Sequence, residues 1–183
     1  MRSRTRILLA AVVVGLFAAL STIALASNPH FRRGGSPTCT IASSGSSSST
    51  TCTASLTGLG QETLVVNVTV SGFAVYQCQN PSGQNEPAGQ NRVLVGPVTS
   101  PTTIPADQIQ NGNVTFTSNP AVLTAPTTVT GTQAGCNNNK WTGVNPTLTV
   151  TNISMTISQG GVLLFTCTAS NPNGLTGTVA LSC

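Results

Sequence analysis

The chain alternates apolar and polar residues over short segments, and a period of two residues is typical of half-buried β-strands. The clearest segment runs from Thr63 to Val70, and its apolar face consists of Leu64, Val66, Val68 and Val70. A second strand is expected over Phe73–Cys78. Valine and threonine recur along the whole chain, and such β-branched side chains favour extended backbone.

Turn signals between these segments indicate the architecture. Prolines at positions 97, 101, 105, 120 and 126 divide the middle of the chain into short pieces, because proline cannot occupy a central strand. Short strands separated by frequent turns are typical of a β-sandwich. We therefore expect an all-β, antiparallel, immunoglobulin-like β-sandwich over residues 38–183.

The apolar face of the segment after Thr147 changes side. Leu148 and Val150 occupy even-numbered positions, whereas the apolar residues from Ile153 to Ile157 occupy odd-numbered ones. A strand keeps one face buried across such a change if one extra residue is inserted. The pattern therefore predicts a bulge near Asn152.

A glycine pair after this strand predicts a hairpin over Gln159-Gly160-Gly161. A three-residue loop would place Ile157 opposite Leu163 and Met155 opposite Phe165, so that apolar residues face one another. A two-residue loop would shift these partners by one residue. We expect the three-residue loop.

Residues 1–26 have the three parts of an export signal. Arg2, Arg4 and Arg6 precede the apolar stretch Ile7–Leu20, and Ala24-Leu25-Ala26 fits the pattern that signal peptidase cleaves. We expect a secreted protein in which residues 27–37 form a flexible tail. The alternative is an uncleaved anchor, because the apolar residues 7–26 are numerous enough to span a bilayer.

Six cysteines in an exported chain predict disulfide bonds, because oxidising compartments preserve them. Cys39 and Cys52 flank a Gly/Ser-rich loop over residues 43–49, and Cys167 and Cys183 flank a turn at residues 171–174. Cys78 is then left to pair with Cys136. Six cysteines allow 15 pairings, and these three bonds are the expected set. A zinc site is the competing interpretation, but the chain has no C-x-x-C spacing.

Charge is scarce. Without the three signal arginines, four basic and three acidic residues remain, a net charge of +1. Binding to nucleic acid needs clustered lysine and arginine, and the one adjacent pair is Arg32-Arg33 in the expected tail. We expect no nucleic-acid partner, and no membrane partner after signal cleavage.

Groups for catalysis are equally few. The three carboxylates are Glu62, Glu86 and Asp107, and the single histidine, His30, falls in the tail. Asp107 follows Pro105-Ala106 and is expected to cap a turn. We expect no enzyme activity, no cofactor and no metal site. The alternative is a hydrolase, which would need two of these carboxylates within about 10 Å across a cleft.

Four short motifs resemble those of small secreted actinobacterial proteins that carry an immunoglobulin-like sandwich. The resemblance covers Cys39 to Gly161, and its motifs are Gly58-Leu59-Gly60, Cys78-Gln79-Asn80-Pro81, Asn111-Gly112-Asn113, and Ala134-Gly135-Cys136-Asn137 leading to Trp141. It implies the sandwich fold and provides no activity that could be transferred to this chain. The pair Cys167 and Cys183 is not part of this pattern.

Tyr76 and Trp141 are the candidate binding surface. Each lies among amide side chains, and an exposed aromatic ring there could stack on a sugar or a peptide. The other interpretation of Trp141 is that it fills the end of the sandwich beside Cys136.

The expected function is an extracellular or cell-surface binding or structural module. Its partner could be a carbohydrate, a protein or a small molecule, and retention at the cell wall stays open. A carrier with an apolar cleft between the sheets, of about 300 Å³ or more, is a further alternative.

Overall fold

Strands dominate the computed structural model, which describes residues 28–183 apart from the side chain of Glu86. The expected signal peptide over residues 1–26 lies outside the described residues. The strands are β1 (His30–Phe31), β2 (Thr38–Ser44), β3 (Ser47–Thr57), β4 (Leu64–Gln79), β5 (Asn85–Ala88), β6 (Val93–Ile104), β7 (Val114–Thr117), β8 (Ala121–Thr124), β9 (Val129–Thr130), β10 (Thr142–Gln159), β11 (Val162–Ser170) and β12 (Gly177–Ala180). Helical structure in this part of the chain consists of α1 (Gly131–Ala134) and a 3-10 turn at Ala106–Gln108. No helix within residues 28–183 is long and apolar enough to cross a membrane.

The strands form two antiparallel sheets around one hydrophobic core. The first sheet has the order β1-β3-β2-β12, with β7 and β8 also pairing with β3. The second has the order β11-β10-β4-β5, with β6 pairing with β4 and β9 with β10. The expected antiparallel β-sandwich is confirmed.

The central pair of the second sheet, β4 and β10, shows why the predicted bulge is needed. The register shifts between Val150 and Asn152, so Thr151 is an extra residue on β10. Leu148 then lies opposite Ala74, and Ile153 lies opposite Val70, and all four side chains are buried. The bulge near Asn152 is confirmed. The expected strands over 63–70 and 73–78 are one continuous strand, β4, with a register shift at Ser71.

Pro97 and Pro101 lie inside β6, which is longer than the prolines had suggested. This strand pairs with β4 alone, so the positions that lack an N–H need no second partner strand.

The predicted register of the β10–β11 hairpin is wrong. Gln159 pairs with Val162, which leaves a two-residue turn of Gly160 and Gly161, both with positive φ. A further shift after Ile157 places that residue opposite Phe165, and Leu163 is exposed rather than buried. The predicted three-residue loop included Gln159, whereas this residue is the last one of β10 and pairs with Val162.

The side chain of Gln159 is buried at one end of the sandwich, where its amide forms three hydrogen bonds with the backbone. Its Oε1 accepts a hydrogen bond from the Gly60 N–H at 2.9 Å. Its Nε2 donates to the carbonyl oxygens of Gly60 and Glu62, each at 2.9 Å. The buried side chain therefore satisfies three backbone groups of the segment that leads into β4.

The disulfides join Cys39 to Cys52, Cys78 to Cys136, and Cys167 to Cys183, which are the expected pairs. Cys39 and Cys52 lie directly opposite each other in the β2–β3 hairpin. The expected flexible loop over 43–49 is mostly strand, because the ladder continues to Ser44 and Ser47 around a turn at Gly45 and Ser46.

The C-terminal segment is not the simple hairpin that the cysteine spacing suggested. β12 crosses to the first sheet and pairs with β2, and Ser182 then forms a bridge with Thr168 of β11. The Cys167–Cys183 bond therefore closes a loop whose residues pair with both sheets.

The expected flexible tail over 27–37 is ordered in part. His30 and Phe31 pair with Thr57 and Leu56 as β1, at the edge of the first sheet. The Phe31 ring also packs on the Phe165 ring of β11, with 4.6 Å between ring centroids. Apolar contact explains why this segment is held although its neighbours Arg32 and Arg33 are exposed.

Replacing Gln159 with Ala should destabilise the protein by about 2–4 kcal/mol, because the buried Gly60 N–H loses its partner. Urea unfolding followed by tryptophan fluorescence measures the change. The matched control is Gln61→Ala, an exposed amide in the same loop, which should change the free energy of unfolding by less than about 0.5 kcal/mol. Equal effects of the two substitutions would contradict the role given to Gln159.

Removing the longest-range bridge with the double substitution Cys78→Ala and Cys136→Ala should cost about 4 kcal/mol. The bond closes a sequence separation of 58 residues, and its loss frees the unfolded chain. Denaturant unfolding of the double variant is compared with Asn137→Ala, an exposed neighbour that leaves the bridge intact. A loss below about 1 kcal/mol would refute this estimate.

Candidate functional site

The two sheets end at different levels, and a groove lies at the step between them. The Gly45–Ser46 turn ends the β2–β3 hairpin of the first sheet, and the Leu148 N–H donates to the Gly45 carbonyl at 3.0 Å. The second sheet extends past this turn, because β4 and β10 stay paired from Leu148 and Ala74 as far as Thr142 and Gln79. We call the resulting open groove of about 850 Å³ the step groove; it is lined by Gly45, Ser46, Val75, Tyr76, Gln77, Ala88, Thr127, Asn145, Pro146 and Thr147.

A second irregularity in β10 shapes this groove. The register with β4 shifts between Val144 and Thr147, so Asn145 and Pro146 form a bulge. Asn145 has a φ of 49°, in the left-handed region that asparagine tolerates better than most residues. Its Nδ2 donates to Oε1 of Gln77 at 2.9 Å. The bulge thus places two exposed amides side by side in the step groove.

Tyr76 contributes to the floor of the groove, but its side chain is buried rather than exposed. Its hydroxyl donates to the Pro126 carbonyl at 2.9 Å. Burial raises the pKa of the Tyr76 phenol, because the charged form would lose its hydration. The prediction that Tyr76 offers an exposed stacking surface is wrong. It lies on the even-numbered, core-facing side of β4.

Trp141 lies outside the step groove, beside the Cys78–Cys136 bond. It is half-buried and lines a cavity of about 80 Å³ together with both cysteines. The short helix α1 leads into this region: Thr130 and Gln133 exchange capping hydrogen bonds, and Gly135 ends the helix in the left-handed conformation. This position agrees with the interpretation of Trp141 as a residue that fills the end of the sandwich.

The three acidic residues lie in three different segments of the chain. Glu62 precedes β4 and lies against Gly160, whereas Glu86 is in β5, which pairs with the last residues of β4. The intervening length of β4 separates their backbones by about 50 Å. Asp107 lies within the 3-10 turn whose N-cap is Pro105, so it is not the cap that the sequence suggested.

No group of three or more His, Cys, Asp or Glu side chains within the described part of the chain could hold a metal ion. His30 is exposed at the edge of the first sheet, where its Nδ1 is 2.8 Å from the Asn28 carbonyl oxygen.

Sequence reasoning missed Gln77 and Asn145 as neighbours. Asn145-Pro146 is a turn signal, since proline restricts the residue before it. That signal marks an irregularity in the strand but does not identify the residue opposite, because pairing depends on register.

Replacing Tyr76 with Phe should cost about 1 kcal/mol at neutral pH through the lost hydrogen bond. The raised pKa adds a pH effect. The stability due to the neutral phenol is fully present below the unfolded-state pKa of about 10, and it is lost as pH rises through the folded-state pKa. The free energy of unfolding, measured with guanidinium at about pH 8 and about pH 11, should therefore fall more in the wild type than in Tyr76→Phe. An equal fall in both proteins would contradict the role given to the buried phenol.

No family model and no curated protein matches the chain. Among solved structures, it is similar to the crystal structure of Bacteroides uniformis beta-glucuronidase, with a TM-score of 0.34 and 12% sequence identity. The match covers 78% of this chain and 14% of that chain. A likeness at this level carries no functional inference, and the resemblance to secreted actinobacterial proteins stays a prediction.

Proposed function

We propose that this protein is a secreted, non-catalytic binding module that acts outside the cell or at its surface, and that the step groove is its binding site. The observation that carries this proposal is the lining of the groove. Amides, hydroxyls, aliphatic groups and one buried phenol line it, and none of the lining side chains that the structure describes carries a charge at neutral pH. Such a surface suits a neutral, polar ligand, because it offers hydrogen bonds without desolvating an ion.

The disulfides support the extracellular assignment. Three bonds use all six cysteines, and structural disulfides persist in oxidising compartments. The export-signal pattern in residues 1–26 points to the same compartment.

The core favours this proposal over a carrier with a cleft between the sheets. Val66 and Val68 of the second sheet and Leu56 of the first have no exposed surface. They belong to one continuous cluster of buried residues that fills the space between the sheets. The step groove, in contrast, is open at the end of the sandwich.

The lining of the step groove favours binding over hydrolysis there. A glycosidase needs two carboxyl groups within about 10 Å of each other across the bound sugar. Neither Glu62 nor Asp107 is among the residues that line the step groove.

The test is retention of purified, oxidised protein on insoluble envelope material from producing cells. Thr127→Trp places an indole in the step groove and should lower retention at least about tenfold, because it occupies the space of the ligand. Gln61→Trp adds the same side chain at the opposite end of the sandwich and should leave retention unchanged.

Two results would contradict the proposed function. Equal retention of Thr127→Trp and wild type would remove the step groove as the site. Release of soluble fragments from the envelope, lost in Glu62→Gln or Asp107→Asn, would identify a hydrolase instead.

A further inference from the structure

We propose that the ligand of the step groove is a neutral carbohydrate, and that Gln77 and Asn145 together recognise a pair of neighbouring sugar hydroxyls. This inference rests on the proposed function and adds the chemical class of the ligand.

The two amides form a complementary donor and acceptor pair. The bond from Asn145 Nδ2 to Gln77 Oε1 fixes how the groups face each other. Gln77 Nε2 then keeps both its hydrogens, and Asn145 Oδ1 keeps its lone pairs, without a hydrogen bond to any group that the structure describes. One sugar hydroxyl can accept from Nε2 while its neighbour donates to Oδ1.

The backbone holds this pair in place before any ligand arrives. The left-handed conformation at Asn145 and the fixed φ of the following proline restrict the bulge. Pro146 is buried, which anchors the bulge to the sandwich. A preorganised site loses less conformational entropy on binding, so two neutral hydrogen-bonding groups contribute more than flexible ones would.

The rest of the lining suits a sugar ring. Ser46, Thr127 and Thr147 supply hydroxyl groups, and Val75 and Ala88 supply apolar surface for ring C–H groups. The described side chains of this lining include no arginine or lysine that would favour an acidic sugar. Since the Tyr76 ring is buried and Trp141 lies elsewhere, no exposed aromatic face stacks on the ligand. Single sugars should therefore bind weakly, and polymers that present many copies should be retained better.

The experiment is a titration of the purified, oxidised protein followed by backbone amide chemical shifts. The probes are the methyl glycosides of glucose, galactose and mannose, each compared with its 2,3-di-O-methyl derivative. Methylation removes the donor hydrogens but keeps the ring. A neutral tetrapeptide, acetyl-Gly-Ser-Thr-Gly-amide, tests the competing ligand class, and glucuronate tests charge.

Two variants remove the amides with little change to the backbone. Asn145→Gly keeps a residue that readily adopts positive φ, and Gln77→Leu removes the amide while keeping an aliphatic side chain at an exposed position. Gln61→Leu is the matched control outside the groove. Each amide substitution should weaken binding about tenfold, as expected for one lost hydrogen-bonding group, and the control should not.

The proposal is supported if at least one free glycoside shifts the groove amides in a saturable way, and if its methylated form and both variants bind about tenfold more weakly. It is overturned if the peptide shifts these amides and no glycoside does, or if a methylated glycoside binds as well as the free one. Either outcome would leave the step groove as a binding site. Failure of the proposed function itself would appear separately, as envelope retention that Thr127→Trp does not change.

Discussion

The antiparallel pairing of β4 with β10 is the constraint on which the remaining structure depends. These two strands run the full length of the sandwich, and their buried faces must stay aligned for the core to be continuous. A pleated strand places successive side chains on opposite faces, so one extra residue reverses the face of everything beyond it. β10 contains two such insertions relative to β4, at Thr151 and at Asn145-Pro146. The first keeps Leu148 and Ile153 on the same buried side, and the second returns Gly143 to that side.

Bulges of the same kind therefore have two different structural consequences along β10. At Thr151 the bulge is surrounded by paired strands, and its consequence is the alignment of the core. At Asn145 the first sheet has already ended at the Gly45–Ser46 turn, so an equivalent irregularity is open to solvent. Because the first sheet ends before this bulge, the bulge lines an open groove and holds the hydrogen-bonded amides of Gln77 and Asn145 there. This arrangement needs no ionisable group, which is consistent with a chain that has so few.

The sequence predicted what depends on local periodicity and missed what depends on long-range packing. The alternation over 63–70, the change of face near Asn152 and the pairs Cys39–Cys52 and Cys167–Cys183 follow from positions close in sequence or from symmetry about a turn, and the structure has them. The long-range pair Cys78–Cys136 followed only because these two cysteines were left over. The hairpin register was wrong because Gln159 is held by the backbone of Gly60, which lies 99 residues away. Tyr76 was misplaced for a related reason. Its amide neighbours suggested exposure, whereas its even-numbered position on β4 directs the ring towards the core. The contact between Gln77 and Asn145 depends on a register shift that sequence patterns do not specify.

The bridges also limit how the molecule could respond to mechanical load. Their three loops do not overlap in sequence, and together they enclose more than half of the described chain. A tensile force between the two ends can lengthen only the segments outside these loops, because each covalent bond carries the load past the residues it encloses. A fully unfolded molecule under flow would therefore extend less far than the same chain without disulfides. After the force ended, its two ends would be separated by a shorter distance when refolding began.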